Sequence, residues 1–281
     1  MSAQPDLTIA AEALCKERGY RFRGKLGQGA FKSAFLVDSP DGQCALKLAV
    51  VSGPPDRLLR ETQALQGCSH PCISRLIEAF PHQYGSLVLW VVREEFLPGG
   101  TLEARLSDSI LAPGIVRVIG VRLAEVLGHL HERRLVHRDI KPANILFRTD
   151  PTVPVLTDFG VVRMLDEPTL TRGFAQMGPG TPAYAAPEQL NNEKAQIDWR
   201  TDQFGLAVVL AECLTGHHPF QLPNTSLYDA IYAVTAKQPL PDSTASELTS
   251  LGFPSLVTAL QPWPVGRFRK PSQFIEVLGR A

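Results

Sequence analysis

The sequence predicts an α+β fold in two lobes: a small β-sheet with one main helix, then a larger, mostly α-helical part. Three observations carry this. Short β-like segments separated by turn residues fill residues 20–97. Pro98-Gly99-Gly100 then punctuates the chain like a hinge. Beyond it, apolar residues recur at helical rather than alternating spacing. The 281 residues suffice for one large domain or two small lobes.

The first 19 residues read as an N-terminal helical extension. Leu7, Ile9, Ala10, Ala13 and Leu14 suit a short amphipathic helix with Asp6 at its start. Segments "YRFRGKLG", "SAFLVD" and "CALKLAV" follow as strands, separated by turns at Gly27–Gly29 and Ser39–Gly42. A helix is expected over Arg57 to Gly67, with Leu58, Leu59, Thr62 and Leu65 on one side. Two more strands are expected in "ISRLIEAF" and "SLVLWVVREEFL". In the second part, "VRVIGVRLAEVLGHLHERR" carries apolar residues at 118, 119, 123, 126, 127 and 130, a helical pattern. "DQFGLAVVLAECLTG" reads as a buried helix ending at Gly216, and "LYDAIYAVTA" and "PSQFIEVLGR" as further helices.

Composition excludes several classes. Basic and acidic residues balance at 28 each, so charge points to neither nucleic acid nor a membrane surface. No apolar run has membrane-spanning length; "FGLAVVLAECL" is too short and contains Glu212. The start lacks a basic region and carries Glu12 and Glu17, unlike a signal peptide. Five cysteines without a regular framework point to reduced thiols and a cytoplasmic protein. Cys68, His70 and Cys72 offer three zinc-ligand types, but no fourth lies nearby, and the stretch reads as a loop.

The chemistry is carried by a constellation, not by one motif. "LGQGAF" has two glycines one residue apart, which serves a phosphate loop or an ordinary turn equally well. Lys47 sits mid-strand among apolar residues, and needs an anionic partner or a route to water. Glu61, fourteen residues on, offers a counter-charge. "HRDIKPANILF" packs a candidate base, Asp139, with Arg138, Lys141 and Asn144. Its interleaved Ile140, Ile145 and Leu146 suggest anchoring to a core. Asp158 follows in "LTDFG"; an Asp and an Asn converging on one cleft are hard oxygen ligands for Mg²⁺. "GTPAYAAPE" adds Thr181 and Glu188.

In this order and spacing the motifs resemble the eukaryotic-like (Hanks-type) serine/threonine protein kinases, from about Tyr20 to the C-terminus. The short loops and "GRFRKPSQF" resemble the bacterial ones. The resemblance implies a kinase domain over residues 20–281, with a small antiparallel N-lobe to about residue 97 and a helical C-lobe from about residue 98. It implies ATP and Mg²⁺ (Mn²⁺ also serving) as cofactors, and protein substrates phosphorylated on Ser or Thr; it leaves the oligomeric state open. Leu26, Gly27 and Gly29 would line the nucleotide loop, with Ala34, Ala45 and Leu146 near the adenine. Glu95 to Leu97 would form the hinge strand. Lys47, held by Glu61, would pair with the α- and β-phosphates. Asp139 would orient the substrate hydroxyl and take its proton, Lys141 would neutralise the γ-phosphate, and Asn144 and Asp158 would hold the metal. Lys141 and Thr181 mark the Ser/Thr class, with Thr181 bonding Asp139 and Lys141. Glu188 would pair with Arg267, Asp202 would hold the catalytic-loop backbone, and Leu65, His137 and Phe159 would stack. A kinase-fold scaffold with little catalysis is the alternative; all four key residues Lys47, Asp139, Asn144 and Asp158 are present.

Three departures from the family pattern stand out. Lys32 replaces the third glycine on a stiffer, more cationic loop; it either contacts phosphate or points to solvent, the second being favoured. Glu94 stands where the family is often apolar; an acid there is costly unless paired, and its neighbour Arg93 should point the other way along a strand. Arg138 implies control by activation-segment phosphorylation, yet positions 173, 175 and 177 carry no hydroxyl. Thr169 and Thr171 are the candidate phosphosites.

Overall fold

The computed structural model describes residues 6–28, 32–51, 62, 66–159, 163–164 and 182–280. The chain divides into two compact units: Met1–Ser69 with Ser74–Leu97, and His70–Ile73 with Pro98–Ala281.

The first unit is an antiparallel sheet of β1 (Arg21–Gln28), β2 (Lys32–Ser39), β3 (Gly42–Val50), β4 (Leu76–Tyr84) and β5 (Leu87–Glu95), in the order β1-β2-β3-β5-β4. Side chains alternate between faces, so one face collects Phe35, Val37, Cys44, Leu46, Leu48, Leu89 and Val91, all buried. Helix α1 (Thr8–Arg18) covers that face with Leu7, Ala10, Ala11, Leu14 and Cys15. The helix starts where Asp6 accepts hydrogen bonds from Thr8 N and Oγ1, and ends on Gly19 at a φ of 69°. Arg93 lies on the same face, paired with Glu78 and Asp41 and stacked over Tyr20.

Strand β4 differs from the reading of residues 73–80. Ile73 makes only an isolated bridge, and the strand runs on through Pro81 to Tyr84. Proline cannot donate to a ladder, but β4 is an edge strand and needs donors on one side only. Of the helix expected at 57–67, only residues 62, 66 and 67 are among the described residues.

The second unit is mostly helical: α2 (Leu102–Asp108), α3 (Pro113–Glu132), α4 (Pro187–Leu190), α5 (Trp199–Thr215), α6 (Leu227–Thr235), α7 (Asp242–Ser250), α8 (Pro254–Ala259) and α9 (Pro271–Gly279). Helix α3 begins with proline at its first position and buries Val116, Ile119, Gly120, Leu123, Leu127 and Leu130. Val118, expected on that stripe, is instead exposed; Val116 and Gly120 complete it. Helix α5 is buried almost all round, and packs against α3, which also holds α9. Two ribbons complete the unit: β6 (Leu135–Val136) with β9 (Arg163–Met164), and β7 (Ile145–Phe147) with β8 (Pro154–Leu156). Among the described residues no helix is long and apolar enough to cross a membrane.

Candidate active site

In the sheet unit, the face opposite α1 carries the chemistry. The β2–β3 register sets Ala34 opposite Lys47, and the β3–β5 register sets Ala45 opposite Glu94. Lys47 and Glu94 are therefore diagonal neighbours on one face, and Lys47 Nζ meets Glu94 Oε2 at 2.9 Å. Ser74 Oγ donates to the same oxygen at 3.1 Å. Burial pushes the Glu94 carboxyl up, but the Lys47 charge and hydrogen bond, with Lys32 and Ser74, hold it below the ordinary carboxylate range. The acid is thus paired, and Arg93 points away from it. Of the two roles open to Lys32, phosphate contact or solvent, the structure shows it half-buried with its charge acting on Glu94. The physical reason is register: Lys32 lies opposite Ala49, on the face that Lys47 shares.

The other nucleotide candidates of this unit lie on or beside the same sheet. Leu26 and Gly27 are in β1, beside a register irregularity between Lys25 and Gly27, and Leu26 is exposed. Glu95 ends β5 opposite Cys44, and its carboxylate accepts from Arg75 N; Leu97 is buried. Gly29 and Glu61 lie outside the described residues, as do Leu65, Thr169, Thr171 and Thr181.

In the helical unit, the segment after β6 is held from below by Asp202 at the first turn of α5. Its two carboxylate oxygens accept from His137 N and Arg138 N, each at 2.7 Å. Burial pushes this carboxyl up to about 7, against the pull of those two N–H groups and of Arg138. The anchorage sustains a strained backbone, since Arg138 has a φ of 69°. Gln189 donates to Arg138 O and fixes the loop from α4, a residue that no motif announces. His137 is fully buried: its Nδ1 accepts from Asp139 N, so Nε2 carries the proton towards Thr157 O at 3.1 Å. Its ring meets Phe159 edge-on at 4.7 Å.

Asp139 is the focus of this loop. Lys141 Nζ reaches Asp139 Oδ2 at 2.8 Å and Oδ1 at 3.1 Å. Asn144 Nδ2 donates to Asp139 Oδ2 at 2.9 Å and to Asp139 O at 2.8 Å. Those bonds consume the amide's donors and leave Oδ1 as a hard oxygen donor. The β7–β8 ribbon places Asn144 just before one strand and Thr157-Asp158 just after its partner, with Thr157 N donating to Asn144 O at 2.9 Å. Asp158 has a φ of 72°, a region few residues other than glycine occupy. An amide oxygen and a carboxylate so presented fit a hard divalent cation bound with phosphate oxygens. Leu146 lies within β7, its backbone bridged to Thr101. The Cys68–Cys72 stretch is a turn in which His70 Nδ1 accepts from Cys72 N.

The far support is a closed polar cluster. Glu188 and Arg267 side chains are both 0% exposed and meet at 2.7 and 3.0 Å through two parallel bonds. Thr201 Oγ1 donates to Glu188 Oε1 at 2.8 Å, and Arg267 also donates to the carbonyls of Gln261, Arg200 and Pro262. Tyr184 donates to Glu212 at 2.8 Å, and His218 bonds Ala183 O. Only the Glu188–Arg267 pair had a sequence signal.

Comparison with known proteins accords with this geometry. Residues 20–254 match the family described as protein kinase domain. The chain is 34% identical over 279 residues to the serine/threonine-protein kinase PknF of Mycobacterium tuberculosis, covering 93% of this chain and 56% of that protein. It is 32% identical to PknJ of the same species, over 94% of this chain and 45% of the relative. It is 28% identical to pkn2 of Myxococcus xanthus, over 90% and 31%. The chain thus spans about half the length, or less, of these relatives. With the sheet unit, the helical unit and the ordered motifs in agreement with that match, the chain belongs to the protein kinase family, in its serine/threonine (Hanks) type.

Proposed function

We propose that this chain catalyses transfer of the ATP γ-phosphoryl group to Ser and Thr hydroxyls of protein substrates, with autophosphorylation at Thr169 or Thr171. The observation that carries this reading is the Asp139 carboxylate, pinned by both Lys141 and Asn144 on a loop anchored by Asp202. In the reaction the substrate hydroxyl oxygen bonds to the γ-phosphorus, the bond from that phosphorus to the β-bridging oxygen breaks, and ADP leaves. Asp139 orients the hydroxyl and accepts its proton, while Lys141 offsets the charge spread over the transferring group. Lys47 holds the α- and β-phosphates. Asn144 and Asp158 would hold Mg²⁺, or Mn²⁺, which when bound supplies charge neutralisation of the phosphates. The rate enhancement comes from positioning and preset charge, because a loose phosphoryl transition state needs little covalent help. The five free cysteines suit a reducing compartment, and we place the chain in the cytoplasm.

The test is transfer of radiolabelled phosphate from ATP to a generic basic protein. Asp139→Ala and Lys47→Met should each abolish it, and equal incorporation by wild type and variants would sink the catalytic assignment. Phosphopeptide mapping of the active protein should find Thr169 or Thr171 modified; if neither is, the autophosphorylation sites are wrong.

A further inference from the structure

Lys47 and Glu94 form an ion pair within the sheet itself, on strands held in fixed register. Their side chains are only 16% and 12% exposed, so neither charge is well solvated. Glu94 is held from a second direction by Ser74 Oγ, donating to the oxygen that Lys47 reaches. Two fixed partners leave the carboxylate little rotamer freedom. A lysine ammonium has three N–H donors, and among the described residues Lys47 spends one of them, on Glu94, so that this pairing is compatible with bonds to anionic oxygens.

We propose that Glu94 is the positioning residue of Lys47: the sheet carries its own counter-ion, which takes one N–H of the ammonium and aims the group at the ATP phosphates. This rests on the reading of Lys47 as the phosphate-binding lysine. Nothing in the kinase motifs assigns the role to this position; the departure from an apolar residue there acquires a purpose. An unpaired acid at that depth would be costly, and an unpaired lysine beside it equally so, which makes the two residues one unit. Lys32, on the same face, adds a second positive charge near the carboxylate, so Glu94 remains ionised and the face keeps a net positive charge for a polyphosphate.

The test uses Glu94→Gln, which keeps shape and an acceptor but removes the charge, with Glu94→Asp as the conservative variant. A charge-assisted bond weakened to a neutral one should raise KM for ATP about tenfold in Glu94→Gln, with a smaller change in kcat. Glu94→Asp should recover part of that loss. In the nucleotide-free protein, Lys47, no longer bound to the residue-94 carboxylate, should be acylated faster by sulfo-N-hydroxysuccinimide acetate, read by peptide mass spectrometry. A merely structural role would lower the melting temperature without moving either readout. An unchanged or lower KM in Glu94→Gln, with unchanged acylation, overturns the proposal. So does a tenfold rise in KM for Glu61→Gln with none for Glu94→Gln. If Lys47→Met retains activity, the underlying reading of Lys47 fails instead; if Lys47→Met is inactive while Glu94→Gln is normal, only the role of Glu94 fails.

Discussion

Arg267 is the position where removing one side chain should do most harm to the helical unit. All five of its N–H donors are matched: two to Glu188, and one each to the carbonyls of Gln261, Arg200 and Pro262. Arg267→Met retains the apolar stem and deletes the charge. Glu188, 0% exposed, loses the cation that hydrogen-bonds it and, among the described residues, keeps Thr201 as its side-chain donor, with Arg200 acting on it at longer range. Breaking one half of a buried pair costs about 3–5 kcal/mol. The three carbonyls belong to half-buried residues and regain water, so they add little. For a chain of this size a loss of about 4 kcal/mol lowers the melting temperature by about 7 °C. Urea unfolding followed by tryptophan fluorescence measures it, since Trp199 is buried at the start of the neighbouring helix α5. The double variant Glu188→Leu/Arg267→Met removes both charges, and should recover much of the loss. A single variant destabilised by less than about 1 kcal/mol, or a double variant worse than the sum of the singles, would refute the argument that an uncompensated buried charge sets the cost.

The titration of His218 and the packing around Gly99 are equally open to measurement. Burial holds His218 at about 4, while the unfolded histidine has its ordinary value near 6.5. The unfolded state therefore binds the extra proton between those pH values, and the stabilisation present above about 6.5 is lost as pH falls towards 4. The stability difference between wild type and His218→Gln should grow with pH across that window, by at most about 3 kcal/mol. A difference independent of pH would mean that His218 is not buried neutral. Asp202 slopes the other way, since a carboxyl raised to about 7 loses stability as pH rises from its ordinary value; for this reason only the variant difference is diagnostic. Gly99→Ala should destabilise by roughly 2–4 kcal/mol in the same urea assay, because a Cβ there would lie 2.1 Å from Arg148 O and 2.7 Å from Phe147 O, both backbone atoms. Gly114→Ala, in the first turn of α3 with open space around it, should instead stabilise by about 0.5–1 kcal/mol; opposite signs for the pair are the expected result.

Much of the molecule was legible in the sequence because its signals are local. Alternation in residues 32–50 and 87–95 marks strands, and the apolar period in residues 116–130 marks a helix, without any knowledge of partners. What escaped lacked such a signal. Helix α2 is short and rests on its Thr101 cap, and α7 is "DSTASELTS", almost without an apolar stripe. The extent of β4 was hidden by Pro81, which reads as a strand end until the strand is seen to be an edge.

By itself the sequence determined the family, the residue types for phosphoryl chemistry and the order in which they occur, because these are set by spacing along the chain. The tertiary structure alone decided that Glu94 meets Lys47, whereas the Glu188–Arg267 pair and the Asp202 anchorage were implied beforehand only by the family resemblance. Arg267 lies 79 positions from Glu188, Asp202 about 65 from the backbone it anchors, and Glu94 47 from Lys47. No local pattern encodes such pairs. Burial decides them, since a charge taken out of water must find its partner wherever the fold brings one within hydrogen-bond reach. For Glu94 that partner is Lys47, and an apparent flaw in the kinase pattern becomes one half of an ion pair.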